Sequence, residues 1–224
     1  MAAPVRDRGA GAQLAAFDLS LGTRYVAGAD EAGRGSLAGP LVAAAVLFDC
    51  ERLRRGVQDG LVDLDDSKKH TSAARERIFR AVLAHAARVR VVFKGPREID
   101  RRGLHRVNIE ALAEALAAVA PPDCTCLVDG FELDRVAARS RQHVVALVRG
   151  DATSAAVAAA SVVAKVVRDR HMRRLAARYP EWGFERHVGY STPEHREAIT
   201  ACGLTPLHRR SFASVAYSQL DFGL

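Results

Sequence analysis

Residues Tyr25–Phe48, YVAGADEAGRGSLAGPLVAAAVLF, decide the fold. Tyr25 to Asp30 is short and apolar, the pattern of a strand covered on both faces. Asp30 and Glu31 stand side by side, and Gly33-Arg34-Gly35 follow, where two missing Cβ atoms let backbone approach a ligand. Gly39-Pro40 closes the turn, and Leu41 to Phe48 is a second apolar run without a charge. The stretch predicts strand, glycine turn, strand. Successive side chains of a strand point to opposite faces, so Glu31 is expected where the strand is already unwinding. Adjacent acids at the end of a buried strand are costly to desolvate unless something positive sits beside them, and a metal ion meets that need.

Outward from this hairpin, strands and helices alternate. Glu51 to Asp66 reads as a polar stretch ending in Asp65-Asp66-Ser67-Lys68-Lys69. Ser67 or Thr71 is placed to cap a helix over Ser72–Ala87, with Ile78, Val82 and Leu83 as its apolar stripe. Arg88 to Lys94 alternates like a strand and is broken by Gly95-Pro96; Leu104 to Val119 reads as a helix stopped by Pro121-Pro122. Cys124–Asp129 and Val144–Val148 are two more short strands, followed by a long Ala/Val-rich helix from Thr153 to about Tyr179, with Pro180 as its stop. Pro193–Ala201 is a further short helix, and Ser211–Leu224 has room for one more. Alternation of this kind predicts an α/β layered fold with a central sheet flanked by helices, plus a small helical C-terminal part. The expected organisation is a flexible leader over residues 1–22, a main α/β domain over 23–180 and a C-terminal helical subdomain over 181–224 packed on it.

Composition narrows the function. The chain has 224 residues, enough for one large domain, with hydrophobic residues near half. Its 33 basic against 26 acidic residues leave a formal charge of +7, which favours a polyanionic partner. Cys50, Cys124, Cys126 and Cys202 have no zinc spacing and read as reduced core thiols of a cytoplasmic protein. No apolar run reaches membrane length.

Three separate apolar strands end in acids: Asp30-Glu31, Asp129 and Asp151. Ligands of α/β sheets sit beyond the carboxyl ends of strands, so these acids converge if the strands are neighbours. The plainer alternatives are a helix cap for Asp151 and a turn for Asp129-Gly130. Four oxygen ligands suit Mg²⁺ or Mn²⁺ rather than zinc. Two such ions, roughly 3.5–4 Å apart, activate water and stabilise the leaving oxygen of a phosphodiester. A glycosidase pair is the competing use of two acids, but it leaves the basic charge and the Gly-Arg-Gly turn without a purpose.

The hairpin resembles the signature of ribonuclease HII, and further blocks follow in order over residues 25–213. Asp65-Asp66-Ser67-Lys68-Lys69, Arg97-Glu98-Ile99-Asp100 with Asn108, Val128-Asp129-Gly130 and Gly150-Asp151 each resemble a family element. So do Ala158–Asp169, His187–Thr192 with His195, and His208-Arg209-Arg210-Ser211-Phe212. Seven blocks in sequence are far more specific than one. Ser36, Phe131, Ser191 and His70 stand where the family usually has other residues, and none of them is a ligand.

The resemblance implies a ribonuclease H-like fold with Asp30, Glu31, Asp129 and Asp151 as catalytic acids holding two Mn²⁺ or Mg²⁺ ions. It implies that Gly33, Arg34 and Gly35 read the ribose 2′-hydroxyl, the group that separates RNA from DNA. Tyr190 would stack on the sugar at the RNA–DNA junction, and Lys68 and Lys165 would meet phosphates or the acids. Arg168, Arg173, Arg174 and Arg178 are expected on one phosphate-facing or solvated helix face. His187, His195 and His208 are expected to be structural or to contact backbone. The implied activity is cleavage of the RNA strand of hybrids, and 5′ of ribonucleotides embedded in duplex DNA, leaving 3′-hydroxyl and 5′-phosphate ends. The implied partners are those nucleic acids, met by a monomer without a membrane. A catalytically silent binding module on the same fold is the alternative; four retained acids, which would repel phosphate, argue against it. Ribonuclease HIII is the nearer rival, set aside because only about two dozen residues precede the core, whereas that family carries an extra N-terminal domain. Gln219-Leu220-Asp221-Phe222 resembles the short peptides that dock on a sliding clamp; the plainer alternative is that Leu220 and Phe222 tuck into the core.

Overall fold

Strand β1 (Tyr25–Ala32) sits in the middle of a mixed five-stranded sheet. It pairs antiparallel with β2 (Leu41–Asp49), which pairs antiparallel with β3 (Arg88–Lys94) at one edge. On its other side it runs parallel to β4 (Cys124–Asp129), itself parallel to β5 (Val144–Leu147), so the order is β3-β2-β1-β4-β5. The computed structural model describes residues 9–65, 70–130 and 144–212.

The two faces of the sheet are covered by different helices, because side chains alternate along each strand. Val26, Ala44, Val46, Phe48 and Leu127 pack with the long helix α6 (Ala155–Ala176), together with α1 (Ala10–Ser20), α2 (Cys50–Gln58) and α3 (Ser72–His85). Ala27, Ala29, Ala43, Ala45 and Cys126 pack on the opposite side against α5 (Leu104–Val119) and Ile99 of α4 (Pro96–Arg102). Both faces being buried explains why β1 and β2 read as unbroken apolar runs. Small residues let α6 lie very close to β1. A Cβ on Gly28 would stand 2.2 Å from backbone atoms of Ala156 and Val157, so only glycine fits there.

After α6 the chain folds back as a 3-10 turn at Pro180–Trp182, α7 (Phe184–His187), α8 (Pro193–Cys202) and a 3-10 turn at Arg210–Phe212. Phe184 and Val188 join Met172 and Ala176 of α6 in a satellite cluster that includes Ala38 of the β1–β2 turn. The C-terminal part thus rests directly on the turn beside the acids.

Several expectations need correction. Residues 10–20 are not a frayed leader. They form α1, which buries Leu14, Ala15 and Asp18, and Asp18 Oδ2 accepts the Ala156 N–H at 2.8 Å at the start of α6. Cys50–Gln58, read as a polar stretch, is helix α2, capped by Asp49 through the Glu51 N–H. In α3 the buried stripe is Ile78, Phe79 and Val82, whereas Leu83 is exposed, and Thr71 is the cap. Cys202 is exposed, unlike the other three cysteines. Asp66–Lys69, Phe131 and the tail from residue 213, Gln219–Phe222 included, lie outside the described residues.

Candidate active site

Asp30 lies near the end of β1, where β4 stops covering it. The parallel ladder to β4 ends at Ala29↔Val128, so Asp30 to Ala32 project past it while still paired to β2. Glu31 is therefore inside a strand, opposite Ala43, and not in unwinding chain as expected. The projection lets both acids reach one pocket of about 280 Å³, lined by Asp30, Glu31, Gly33, Arg34, Gly35, Asp129, Ser161, Lys165 and Tyr190. Asp30 is buried; its Oδ1 accepts the Glu31 N–H at 2.7 Å, and Ser161 of α6 hydrogen-bonds the same carboxyl. Burial first, then the Glu31 charge, and to a lesser degree the Asp129 charge, push the Asp30 carboxyl well above its ordinary pKa of 3.8. Asp129 ends β4 and is held in place by the Gly150 N–H, 2.7 Å from its Oδ1.

Asp151 follows in a 3-10 turn ahead of α6 and is buried, but it does not line the pocket. It is not the helix cap either: Ser154 accepts the Val157 N–H at 3.3 Å. Three of the four expected acids thus meet in one pocket, and the fourth stands beside the Gly150 amide that anchors Asp129. Among the described residues no three acid, histidine or cysteine side chains close into a ready-made metal cage. The donor set is nevertheless all oxygen and net negative, with Arg34 the ion-pair partner of Glu31 at 3.7 Å. Such a set fits a hard divalent cation, which would relieve the repulsion that raises the Asp30 pKa.

The Gly33–Gly35 turn forms the opposite wall. Gly33 has φ +83°, and a Cβ there would meet Arg168 Nε at 1.9 Å, so the protein itself requires glycine. Gly35 is different. It has no positive φ, and a Cβ there would meet nothing within 4 Å. Its bareness leaves room for something outside the protein. Among the described residues neither the Arg34 nor the Gly35 N–H has an acceptor. Ser36 is fully buried and among the described residues its hydroxyl is unbonded, and the turn stays pinned by Ser36 N–H to Gly33 O and by Leu37 and Ala38 N–H to Gly189 O.

Tyr190 borders the pocket with Lys165 Nζ 4.7 Å and Arg168 Cζ 5.0 Å from its ring centroid. Lys165 also pairs with Asp169 at 2.9 Å. Lys68 lies outside the described residues. Behind Tyr190 two of the three histidines, His208 and His195, make a neutral relay. The Thr205 N–H donates to His208 Nδ1, His208 Nε2 is 3.1 Å from His195 Nε2, and His195 Nδ1 is 2.9 Å from the Tyr190 carbonyl. That chain is satisfied only if His208 carries its proton on Nε2 and His195 on Nδ1. His187, stacked on His195 at 4.3 Å, accepts the Gly189 N–H at Nδ1. Burial lowers the pKa of all three, that of His195 and His208 to about 4. The expected structural role of these residues is what the geometry shows.

Sequence reading missed four residues here. Ser161 holds Asp30, and its one available signal was a hydroxyl inside an alanine-valine run. Asp18 gave none. Arg168, expected on one phosphate-facing or solvated helix face with Arg173, Arg174 and Arg178, is fully buried while those three are exposed. Arg209 is equally buried and bonds the carbonyls of Gly33, Arg34 and Gly39.

A family model for ribonuclease HII matches residues 27–215. The chain is 46% identical to a ribonuclease HII of Geobacillus kaustophilus over 87% of its own length and 70% of that protein. It is 45% identical to one from Mycobacterium avium, covering 85% of this chain and 79% of the relative. Among solved structures, ribonuclease H2 of Pyrococcus horikoshii superposes with a TM-score of 0.71 at 31% identity, over 84% of this chain and 93% of that one. Ribonuclease HII of Archaeoglobus fulgidus, in a complex with PCNA, gives 0.70 at 29%, over 83% and 93%. The mixed sheet flanked by helices is thus ribonuclease H-like, and the chain belongs to the ribonuclease HII family of metal-dependent endoribonucleases.

Proposed function

We propose that the pocket between β1, α6 and the Gly33–Gly35 turn cuts the RNA strand of RNA–DNA hybrids, and cuts 5′ of ribonucleotides embedded in duplex DNA. The observation that carries this reading is the junction, in one pocket, of carboxylates with two turn amides that have no acceptor among the described residues and an aromatic ring. Asp30, Glu31, Asp129 and Asp151 would hold two Mn²⁺ or Mg²⁺ ions. The chemistry such ions supply is activation of a water and neutralisation of the departing 3′-oxygen, giving 3′-hydroxyl and 5′-phosphate ends. Ser161 and the Gly150 amide keep Asp30 and Asp129 aimed at the pocket. The amides of Arg34 and Gly35 offer hydrogen bonds to a ribose 2′-hydroxyl, which deoxyribose lacks. Arg34 and Lys165, at the rim, face the phosphate backbone. The test is to map the cut on duplexes carrying one or four ribonucleotides, with Mg²⁺ or Mn²⁺. Cutting at all-deoxy positions, or none at the single ribonucleotide, would overturn the reading.

Tyr190 supplies a second check. Its ring bears on the sugar and its hydroxyl is not needed for stacking, so Tyr190→Phe should retain most activity. Tyr190→Ala should lose about 1–3 kcal/mol of substrate interaction, or roughly 5- to 150-fold in kcat/KM. Equal, severe loss in both variants would assign the role to the hydroxyl.

The tail Gln219-Leu220-Asp221-Phe222 is proposed to dock on a sliding clamp, with two apolar anchors and a glutamine filling a preformed groove. The archaeal relative seen with PCNA supports the idea. Removing residues 219–224 should abolish clamp binding measured by calorimetry and leave cleavage of short duplexes intact; a tail that instead anchors the core would show as a lower melting temperature.

A further inference from the structure

Arg209 lies more than 170 residues from the Gly33–Gly35 turn in sequence, yet its guanidinium is wholly buried under it. Nη2 donates to Gly33 O at 2.7 Å, Nη1 to Arg34 O at 2.8 Å and Nε to Gly39 O at 3.1 Å, while its own N–H bonds Leu37 O at 2.8 Å. Arg168 completes the underside, donating to Ala38 O, Pro40 O and Val188 O at 3.1, 2.9 and 3.0 Å. Six carbonyls between Gly33 and Pro40 therefore point inward at these two arginines. A peptide plane whose C=O is held on one side presents its N–H on the other. The Arg34 and Gly35 amides, which follow the clamped Gly33 and Arg34 carbonyls in the same peptide units, are without acceptors among the described residues.

We propose that Arg209 is a specificity-determining positioning residue: its three-pronged grip on the turn carbonyls fixes the two outward amides in the orientation that tells ribose from deoxyribose. This rests on the proposed function of the turn and adds the device that sets it. Only a planar guanidinium has donors placed to reach three carbonyls at once; a lysine ammonium is a single compact charge. The guanidinium is itself seated by Phe212, 5.3 Å from its ring centroid, and its segment is tied down by Asp100. That carboxylate accepts the Arg210 and Ser211 N–H groups at 3.0 and 2.9 Å. Recognition of the sugar is thus controlled from the C-terminal segment, on the far side of the turn from the substrate.

Arg209→Lys and the wild type are compared for affinity towards two otherwise identical duplexes, one all-deoxy and one with a single ribonucleotide, in Ca²⁺ to prevent turnover. The wild type should prefer the ribonucleotide duplex, and in Arg209→Lys that preference should shrink about tenfold, while affinity for the all-deoxy duplex changes little. The same ratio should appear in kcat/KM with Mg²⁺ on the ribonucleotide duplex. If both affinities fall together, or the preference survives unchanged, the clamp is structural only and the proposal fails. If the wild type shows no preference, the functional reading of the turn itself fails. Should Arg209→Lys not fold, Phe212→Leu loosens the same guanidinium without removing a donor. Its preference should drop two- to threefold, and an unchanged ratio there overturns the proposal.

Discussion

Asp30→Asn should leave a protein that is inactive and yet melts at a higher temperature. Activity falls because the amide cannot hold a divalent ion as the carboxylate does. A loss of at least about 4 kcal/mol of transition-state stabilisation is roughly a thousandfold in kcat. Stability rises because the native state suffers from this charge: Asp30 is buried beside Glu31 and Asp129, and its pKa is pushed up by exactly those conditions. Asparagine keeps the oxygen that accepts the Glu31 N–H and removes the repulsion. Cleavage assays at saturating Mg²⁺ and a thermal melt decide the matter. A variant that keeps more than a few per cent of activity would remove Asp30 from the metal site. One that melts several degrees lower would make it a structural acid.

Acid should unfold the protein through its histidines. His195 and His208 sit near pKa 4 in the native state against an ordinary 6.5, because burial and the relay leave no place for a second proton. Between those two values the unfolded chain binds more protons than the native one, so stability is intact above about pH 6.5 and drains away as pH falls towards 4. At pH 5 each imidazole withdraws up to about 2 kcal/mol. The pair together would lower the melting temperature by roughly 10 °C. His187, lowered by the same burial, adds in the same direction. Asp18, raised to about 7 mainly by burial, works oppositely, gaining a proton on folding in the same range. The measurement is the melting temperature from pH 7.5 to 4.5, repeated for His208→Asn, whose slope should be shallower. Because the raised acids Asp18 and Asp30 offset the histidines in the wild type, the difference in slope decides: a His208→Asn curve parallel to that of the wild type would show that the relay takes up protons without cost.

The elements that were legible in the sequence were those set by near neighbours. β3, α5 and β4 begin and end where their periodicity and the flanking Gly95-Pro96 and Pro121-Pro122 place them. The acids at strand ends were legible for a similar reason: a charge closing an apolar run is costly wherever it occurs, so it announces a site. Asp30, Glu31 and Asp129 converge because β1 and β4 are parallel neighbours, whereas Asp151 stays outside that pocket.

What only the tertiary structure decided was the fate of polar groups whose partners are distant. Helix α1 has no strong apolar stripe of its own; it is held by packing and by Asp18, which reaches 138 residues along the chain to the first turn of α6. Arg168 reads from sequence like Arg173 and Arg174, three cations on a basic helix, and one of them is fully buried. The difference lies in six carbonyls that the β1–β2 turn and the chain at Val188 bring to Arg168 and Arg209. Backbone carbonyls are present at every residue and leave no mark on composition or spacing. A buried guanidinium needs such acceptors to repay its desolvation, and only the fold says where they gather. The sequence by itself determined the strands and the acids near their ends; the assembled chain alone decided which arginines hold the turn between them.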